Sequence, residues 1–298
     1  MRHFYIITND KKDPDFETTK SIQRLFEQRG AVCQAGTKQN DIPPKTECIL
    51  VLGGDGTLLQ AARDTFGKKI PLIGVNLGTL GFMAEVERQH IEEAVDALLS
   101  EQYKLERRMM LDGNILVHDR STQGQDCHSQ SDGCQEVNYG GKVNCVSMQA
   151  HALNDVVVTR QGGLRVLSYD VYVNGQYLTR YHADGVILAT PTGSTGYNMS
   201  AGGPIVEPEA ELILLTPICP HSLSPRSIIL SAEDTIEIRI GYDRNGEDQE
   251  ACVTFDGSVG QSLKSGDSIV VKRSEQFTSF VRIRQAGFLE NLHRKMNQ

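Results

Sequence analysis

Gly53-Gly54-Asp55-Gly56-Thr57 stands directly behind the apolar run Cys48-Ile49-Leu50-Val51-Leu52, and Leu58-Leu59-Gln60-Ala61-Ala62-Arg63 follows it. A β-branched and aliphatic run closed by glycines reads as a buried parallel strand ending in a tight turn. The breaker-free stretch behind it reads as a helix. Such a turn suits a phosphate: glycines let backbone N–H groups approach an anion with no Cβ in the way, and the helix N-terminus adds partial positive charge. Gly53, Gly54, Gly56 and Thr57 are therefore candidate phosphate ligands. Asp55 repels an anion unless it has chemistry to do, either accepting a proton from an attacking hydroxyl or holding a divalent metal. The bland alternative is an Asp that only caps the helix.

Four further segments carry residues of similar promise. Gly74-Val75-Asn76-Leu77-Gly78-Thr79-Leu80-Gly81-Phe82 is another strand running into glycines, in which Asn76 offers both a donor and an acceptor. Asn154-Asp155 precedes the strand-like Val156-Val157-Val158-Thr159; it is an ordinary turn or a pair that reads ribose hydroxyls or a base edge. The richest segment covers residues 183–204, where Asp184-Gly185 opens an apolar strand that delivers Thr190-Pro191-Thr192-Gly193-Ser194-Thr195-Gly196-Tyr197-Asn198-Met199-Ser200. This run is dense in small donors and poor in core-forming side chains, which suits a ribose or a pyrophosphate. Asp256, in Thr254-Phe255-Asp256-Gly257-Ser258, reads as a turn residue that can supply an extra carboxylate. No Ser-His-Asp or Cys-His arrangement follows from spacing, and no helix carries a metal-ligating His pair.

The elements that must position these groups fall into two patterns. Over the first hundred residues strand and helix alternate: a strand at 4–8, an amphipathic helix at 16–28 stopped by Gly30, the strand at 48–52, an apolar run at 70–75 and a helix at 91–99. Alternation of this kind implies a parallel sheet wrapped by helices, with ligands at the carboxyl ends of the strands. From about residue 104 the chain turns to short strands, at 114–117, 156–159, 169–173, 185–190, 235–240, 253–255 and 268–271, with Asn174-Gly175 as a two-residue hairpin signal. Residues 280–295 return to strand and then helix. The polar stretch at 119–145 lacks the apolar content to bury a core and is predicted to be a mobile hairpin loop.

Two domains suit 298 residues. They are drawn as an α/β domain of residues 1–106 with 275–298, and a β-rich domain of residues 107–274 carrying the 119–145 insertion. The formal charge of −8 argues against a nucleic-acid or anionic-membrane binder, so an anionic ligand must be held by local groups or a metal. The opening residues read as a strand and not a signal peptide, and no run is long enough for a membrane span. Seven cysteines, an odd number, point to reduced thiols and a cytoplasmic protein. Cys127, His128, Cys134 and Cys145 match no common zinc spacing and read as loop residues.

Taken together, residues 53–57, 76–82, Asn154-Asp155, Asp184-Gly185, 190–204 and 216–223 resemble the bacterial-type NAD kinase family, which phosphorylates the 2′-hydroxyl of the adenosine ribose of NAD to give NADP. The first motif is shared with diacylglycerol and sphingosine kinases and phosphofructokinase, and residues 190–204 make the resemblance specific. It implies a Rossmann-like α/β N-terminal domain, an all-β sandwich C-terminal domain, a C-terminal tail returning to the first domain, and homodimers or homotetramers. By position it implies that Asp55 is the catalytic base and that Asn154 and Asp155 contact the adenosine. It places Asp184 near the adenine or nicotinamide end, and Thr195, Gly196, Tyr197, Asn198, Met199 and Ser200 along the dinucleotide. Gly56, Asn76, Phe82, Arg165 and His182 complete the implied NAD contacts. The implied co-substrate is ATP, or polyphosphate in its place, with Mg2+ or Mn2+. The family's pair is more often Asn-Glu than Asn154-Asp155, many relatives have Gln where Ser258 stands, and the 119–145 insertion is long for the family. A lipid kinase and a non-enzymatic nucleotide sensor are the alternatives. The first needs an apolar lipid pocket that the hydroxyl-rich loop does not suggest, and the second has no use for Asp55.

Overall fold

A computed structural model describes residues 1–37, 41–78, 81–117, 135–139, 142–162, 166–222, 226–283 and 288–297. The chain divides into two compact units, Met1–Arg108 with Gln276–Gln298, and Met109–Glu275, and the architecture is mixed α/β.

The first unit contains β1 (His3–Thr8), α1 (Glu17–Gln28), β2 (Val32–Gly36), β3 (Cys48–Gly53), α2 (Asp55–Asp64), β4 (Leu72–Asn76), β5 (Val86–Glu87) and α3 (Ile91–Leu99). Its strands run parallel in the order β2-β1-β3-β4, with β5 beside β4. All of β3 is buried, as its unbroken apolar sequence requires of a strand covered on both faces. Ile22 and Phe26 of α1 pack into the core with Phe4, Leu50, Leu52, Val75, Val95 and Leu98. Gly30 ends α1 in the left-handed conformation at φ 75°; its N–H reaches Glu27 O and that of Ala31 reaches Phe26 O. The start of α1 is held by Asp13, whose carboxylate accepts the N–H groups of Thr18 and Thr19. The strand β2 has no counterpart in the sequence reading, because a short edge strand with one well-buried side chain, Cys33, has little periodicity to detect.

The second unit is built from long β6 (Lys104–Val117), β7 (Gln135–Tyr139), β8 (Lys142–Ala152), β9 (Asp155–Arg160), β10 (Leu167–Val173), β11 (Gln176–Ala183) and β12 (Gly185–Ala189). The short helix α4 (Tyr197–Ser200), β13 (Leu212–Ile218), β14 (Ile228–Ser231), β15 (Ile236–Ile240), β16 (Glu250–Phe255), β17 (Ser258–Lys264) and β18 (Ser268–Arg282) follow, and α5 (Phe288–Met296) lies in the first unit. One antiparallel set has the order β14-β13-β12-β9-β16-β17; another joins β11, β10, β15 and β18. Their facing side chains, among them Val156, Val158, Val186, Leu188, Tyr169, Ile238 and Ile269, share one core. Asn174 and Gly175 turn the β10–β11 hairpin at φ 51° and 77°, as an Asn-Gly turn of the mirror-image type requires.

Within the polar stretch, the described part of the predicted hairpin is strand. Gln135–Tyr139 pairs antiparallel with β8, and β8 continues onto β6 with Leu111 opposite Ala152. A ladder of backbone hydrogen bonds needs no apolar side chains, so composition underestimates it. Cys127, His128 and Cys134 lie outside the described residues. The unpredicted β13 contains Pro217, which demotes a strand in a sequence reading; Pro217 lies beyond the register with β14, which ends at Leu215.

Candidate active site

In the first unit β3 and β4 are in register at Gly53 and Asn76, so the turns that follow them lie side by side at the carboxyl edge of the sheet. Gly54 is the residue before α2, in extended conformation at φ −119°, and its carbonyl accepts the N–H groups of Thr57 and Leu58. A Cβ on Gly53 would collide with the Thr57 side chain, whose Oγ1 accepts a 3.0 Å hydrogen bond from Asn9 Nδ2. Gly56 has open space around it.

Asp55 is the first residue of α2, and its carboxylate makes no cap bond to that helix. It accepts the N–H of Phe82 at 2.8 Å and that of Met83 at 3.2 Å. Gly81 is obligatory there, since a Cβ would overlap the carboxylate. Each oxygen keeps a lone pair for a further donor. Asn76 is buried and folds on its own turn: Nδ2 donates to Gly78 O at 2.8 Å while Oδ1 accepts Gly78 N–H at 3.0 Å. It thus shapes the loop, and the amide keeps one N–H and one lone pair for a ligand. Phe82 lies beneath Lys295, with Nζ 4.6 Å from the ring centre. A cleft of about 490 Å³ opens beside Gly78, lined by Asn76, Leu77, Glu87, Arg88, Gln89 and Arg294.

In the second unit Asn154 and Asp155 sit where β9 begins, with Asp155 opposite Ala189 at the end of β12. Asn154 O accepts Thr190 N–H at 2.8 Å, and Thr190 Oγ1 donates to Leu153 O at 2.6 Å. Gly193 packs on Asn154 so closely that a Cβ would strike its carbonyl. Asn154 Nδ2 and Asp155 Oδ2 lie 3.4 and 3.8 Å from where a Cβ of Gly196 would stand. The pair and the hydroxyl-rich loop are therefore brought together.

Asp256 belongs to this group in a different capacity. It adopts a left-handed conformation at φ 49°, and its carboxylate accepts the N–H groups of Leu153, Asn154 and Asp155 at 3.0, 2.7 and 3.1 Å. It fixes the backbone of the pair from the turn in which it stands. Asp155 itself is buried, and among the described residues no donor is directed at its carboxylate. Burial first, and the neighbouring Asp256 charge second, push its carboxyl up to about 7. Asn154 Oδ1 is also buried and receives no hydrogen bond.

The loop divides into an inner and an outer row. Asn198 is fully buried, donating to Ser194 O and Pro204 O and accepting from Thr216 Oγ1 at 2.7 Å, and a Cβ on Gly203 would overlap it. That makes Asn198 an internal tie of the loop. Tyr197, Met199 and Ser200 are exposed, while Thr195 and Gly196 are half-buried.

His182 and Asp184 form a separate group. Asp184 precedes β12 and Thr190 follows it, six residues and about 20 Å apart along an extended strand. Asp184 pairs with Arg160 Nε at 2.9 Å, and His182 Nδ1 meets Ser168 Oγ at 2.8 Å. Burial, and then the nearby Arg244 and Arg180 charges, lower the His182 pKa and keep the ring neutral near pH 7. Arg165 lies outside the described residues.

Sequence reasoning missed Lys12, whose Nζ lies 3.1 Å from where a Cβ of Gly54 would stand and 3.4 Å from that of Gly78. The signal was available: β1 is parallel to β3, so the loop after Thr8 must lie at the same sheet edge as the glycine turns. The amides that Asp256 and Asp55 collect had no such signal.

Comparison with known proteins bears on both units. The ATP-NAD kinase N-terminal domain model matches residues 34–103, and the ATP-NAD kinase C-terminal domain model matches residues 153–283. An NAD kinase of Agathobacter rectalis is 44% identical, covering 99% of this chain and 99% of its own. One from Lachnospira eligens is 41% identical over 99% of this chain and its full length. Among solved structures, yeast NADH kinase complexed with NADH superposes with a TM-score of 0.81 at 26% identity, over all of this chain and 88% of the yeast one. An NAD kinase from Archaeoglobus fulgidus in complex with ATP, at 22% identity, superposes with a TM-score of 0.73 over all of this chain and 99% of its own, a likeness of fold. The chain belongs to the ATP-NAD kinase family.

Proposed function

We propose that the chain carries out its family's reaction, transfer of the γ-phosphoryl group of ATP to the 2′-hydroxyl of the adenosine ribose of NAD, with Asp55 as base and Asn154 and Asp155 as adenosine ligands. The activity follows from family membership, and neither the lipid-kinase nor the sensor alternative has support. In fold terms the first unit is Rossmann-like and the second a β-sandwich. The residue roles rest on one observation above the others: a buried amide oxygen without a donor and a buried carboxylate without a donor stand together at Asn154-Asp155. Unmet hydrogen-bonding capacity of this kind costs about 1–3 kcal/mol per group until a ligand supplies the partners. An adenosine carries the required set, N–H donors on the base edge and O–H donors on the ribose.

Gly53, Gly54, Gly56 and Thr57 hold phosphate oxygens of ATP through the turn, and the outer row of Thr195, Gly196, Tyr197, Met199 and Ser200 lines the dinucleotide. As the γ-phosphorus bonds to the ribose oxygen, its bond to the β–γ bridging oxygen breaks, and Asp55 takes the hydroxyl proton. A carboxylate is a weak base for a free alcohol. In a loose transition state that proton leaves late, so positioning and charge neutralisation supply most of the rate. Two backbone N–H groups hold Asp55 in place for this.

Among the described residues no group of three or more His, Cys, Asp or Glu side chains is placed to hold a metal by itself. A hard divalent ion, Mg2+ or Mn2+, would therefore be held mainly by phosphate oxygens of the substrate and water, which leaves Asp55 free to take the proton. When bound it would neutralise charge on the transferring group. Self-association as a homodimer or homotetramer belongs to the same proposal, supported by Tyr177 and Leu178 exposed on β11. Light scattering in solution measures it. No helix among the described residues is long and apolar enough to cross a membrane. The deciding assay incubates the full chain with ATP, magnesium and NAD, NADH, diacylglycerol or no acceptor. NADP formation supports the reading, and its absence with NAD as acceptor overturns it.

A further inference from the structure

We propose that Lys12 contacts the phosphate chain of ATP, bridging the two glycine turns and neutralising charge on the departing β-phosphate. The inference rests on the functional reading above for the identity of its ligand, and on geometry within the first unit for the rest. Nζ of Lys12 touches the space left open by the absent side chains of Gly54 and Gly78, which follow the neighbouring strands β3 and β4. Among the described residues this ammonium has no hydrogen-bond acceptor and no ion-pair partner. An ammonium beside two glycine turns adds positive charge at a place where the turns leave room for an anion.

The loop that carries Lys12 is fastened on both sides. Before it, Asn9 N–H bonds to Leu52 O at the end of β3 and Asn9 Nδ2 to Thr57. After it, buried Asp13 accepts the N–H groups of Thr18 and Thr19 and the hydroxyl of Thr19. Lys12 N–H and Asp13 N–H both donate to Asn9 O. Lys11 and Lys12 are both exposed on this loop, and of the two only Lys12 reaches the glycines. Gly78 also borders the 490 Å³ cleft, whose lining includes Arg88 and Arg294. The nucleotide end of ATP can therefore leave the turns without passing back over Lys12.

In the transfer, Lys12 remains protonated throughout. The bond from γ-phosphorus to the bridging oxygen breaks, the electron pair stays on the β-phosphate, and the ammonium faces that growing charge. The hydroxyl proton goes to Asp55, so no proton is asked of Lys12.

The test measures ATP, ADP and AMP affinity by calorimetry, together with kcat and both KM values, for the unchanged chain and the Lys12→Ala, Lys12→Arg and Lys11→Ala variants. Loss of a charged hydrogen bond predicts ATP affinity reduced about 10- to 100-fold in Lys12→Ala. Turnover also falls, AMP affinity and KM for NAD stay within twofold, Lys12→Arg recovers most of the loss, and Lys11→Ala is silent. ATP affinity and kcat within twofold in Lys12→Ala overturn the assignment, as does an equal loss for AMP, ATP and NAD, or an equal effect of Lys11→Ala. If Lys12→Ala fails to fold, Lys12→Gln, of similar length without the charge, decides: retention of the preference for ATP over AMP overturns the assignment, and its loss supports it. Failure of the unchanged chain to make NADP would overturn the functional reading, while the ATP-against-AMP comparison still reads Lys12 directly.

Discussion

Asp55 and Asp155 each open a secondary-structure element beside a glycine-rich loop, one at the start of α2 and the other at the start of β9, and their surroundings are opposite. Asp55 receives two backbone N–H groups from Phe82 and Met83. Asp155 receives none, because the amides of residues 153–155 are all given to Asp256. A carboxylate that must meet a reacting hydroxyl in one fixed pose is served by rigid backbone donors that ask nothing of the substrate. A carboxylate that must recognise a ligand is left short of donors, and its supporting backbone is made rigid by a third residue. On the roles proposed above, the same side chain would serve chemistry or recognition according to where the nearby N–H groups point.

The sharpest way to break this contrast is Asp55→Asn. Loss of the proton acceptor predicts kcat lower by about 10² to 10⁴ with NAD affinity little changed, read as NADP formed per enzyme. Turnover within tenfold of the parent would remove Asp55 from the role of base. Asp155→Asn should act on the other term, weakening NAD binding about 10- to 100-fold while kcat at saturation falls less. If instead kcat collapses and KM is unchanged, the division of labour between the two carboxylates is wrong.

Gly81→Ala comes next. The added Cβ displaces the Asp55 carboxylate from its amides, so kcat should fall by about tenfold or more through misplacement while the melting temperature changes little. Measured kcat equal to that of the parent would show that the pose of Asp55 is unimportant.

The smallest effect is in the pH dependence. Asp155 has its folded pKa raised from 3.8 to about 7, so the folded chain binds a proton more tightly than the unfolded one. Its contribution to stability is complete below 3.8 and is lost as pH rises through 7. Asp155→Asn behaves like the protonated form at every pH. The variant should therefore gain stability over the parent at pH 8, and that advantage should shrink as pH falls below 7 and vanish only below 3.8, which thermal melts across the range will show. Ribose hydroxyls donate to the ionised carboxylate, so NAD affinity of the parent should rise between pH 6 and 8. A flat profile in both measurements would mean that Asp155 is already ionised without ligand.

Much of this was legible before any coordinates. The unbroken apolar run 48–52 and the glycines behind it had to be a buried strand and a turn, and Asn174-Gly175 had to be a hairpin, because these depend on a few adjacent residues. The parts that were not legible share a cause. Asn76 and Asn198 have the donors and acceptors of ligand contacts, and in the fold both spend some of them internally, on Gly78 and on Ser194, Pro204 and Thr216. Asp256 reads as a turn residue, and its carboxylate also clamps a segment a hundred residues earlier. Residue type states how many hydrogen bonds a side chain can make; it is silent about which partner takes them.

Sequence alone determined the family, the alternation of strand and helix in the first unit, the change to strands in the second, and which loops are candidates for the chemistry. Periodicity, glycine placement and motif spacing are local, and they survive without knowledge of distant contacts. Only the tertiary structure decided how the N–H donors are distributed: to Asp55, to Asp256, and away from Asp155. It also decided that Lys12 stands over two glycine turns, since pairings across tens of residues arise from sheet register and close packing, and no local pattern encodes them.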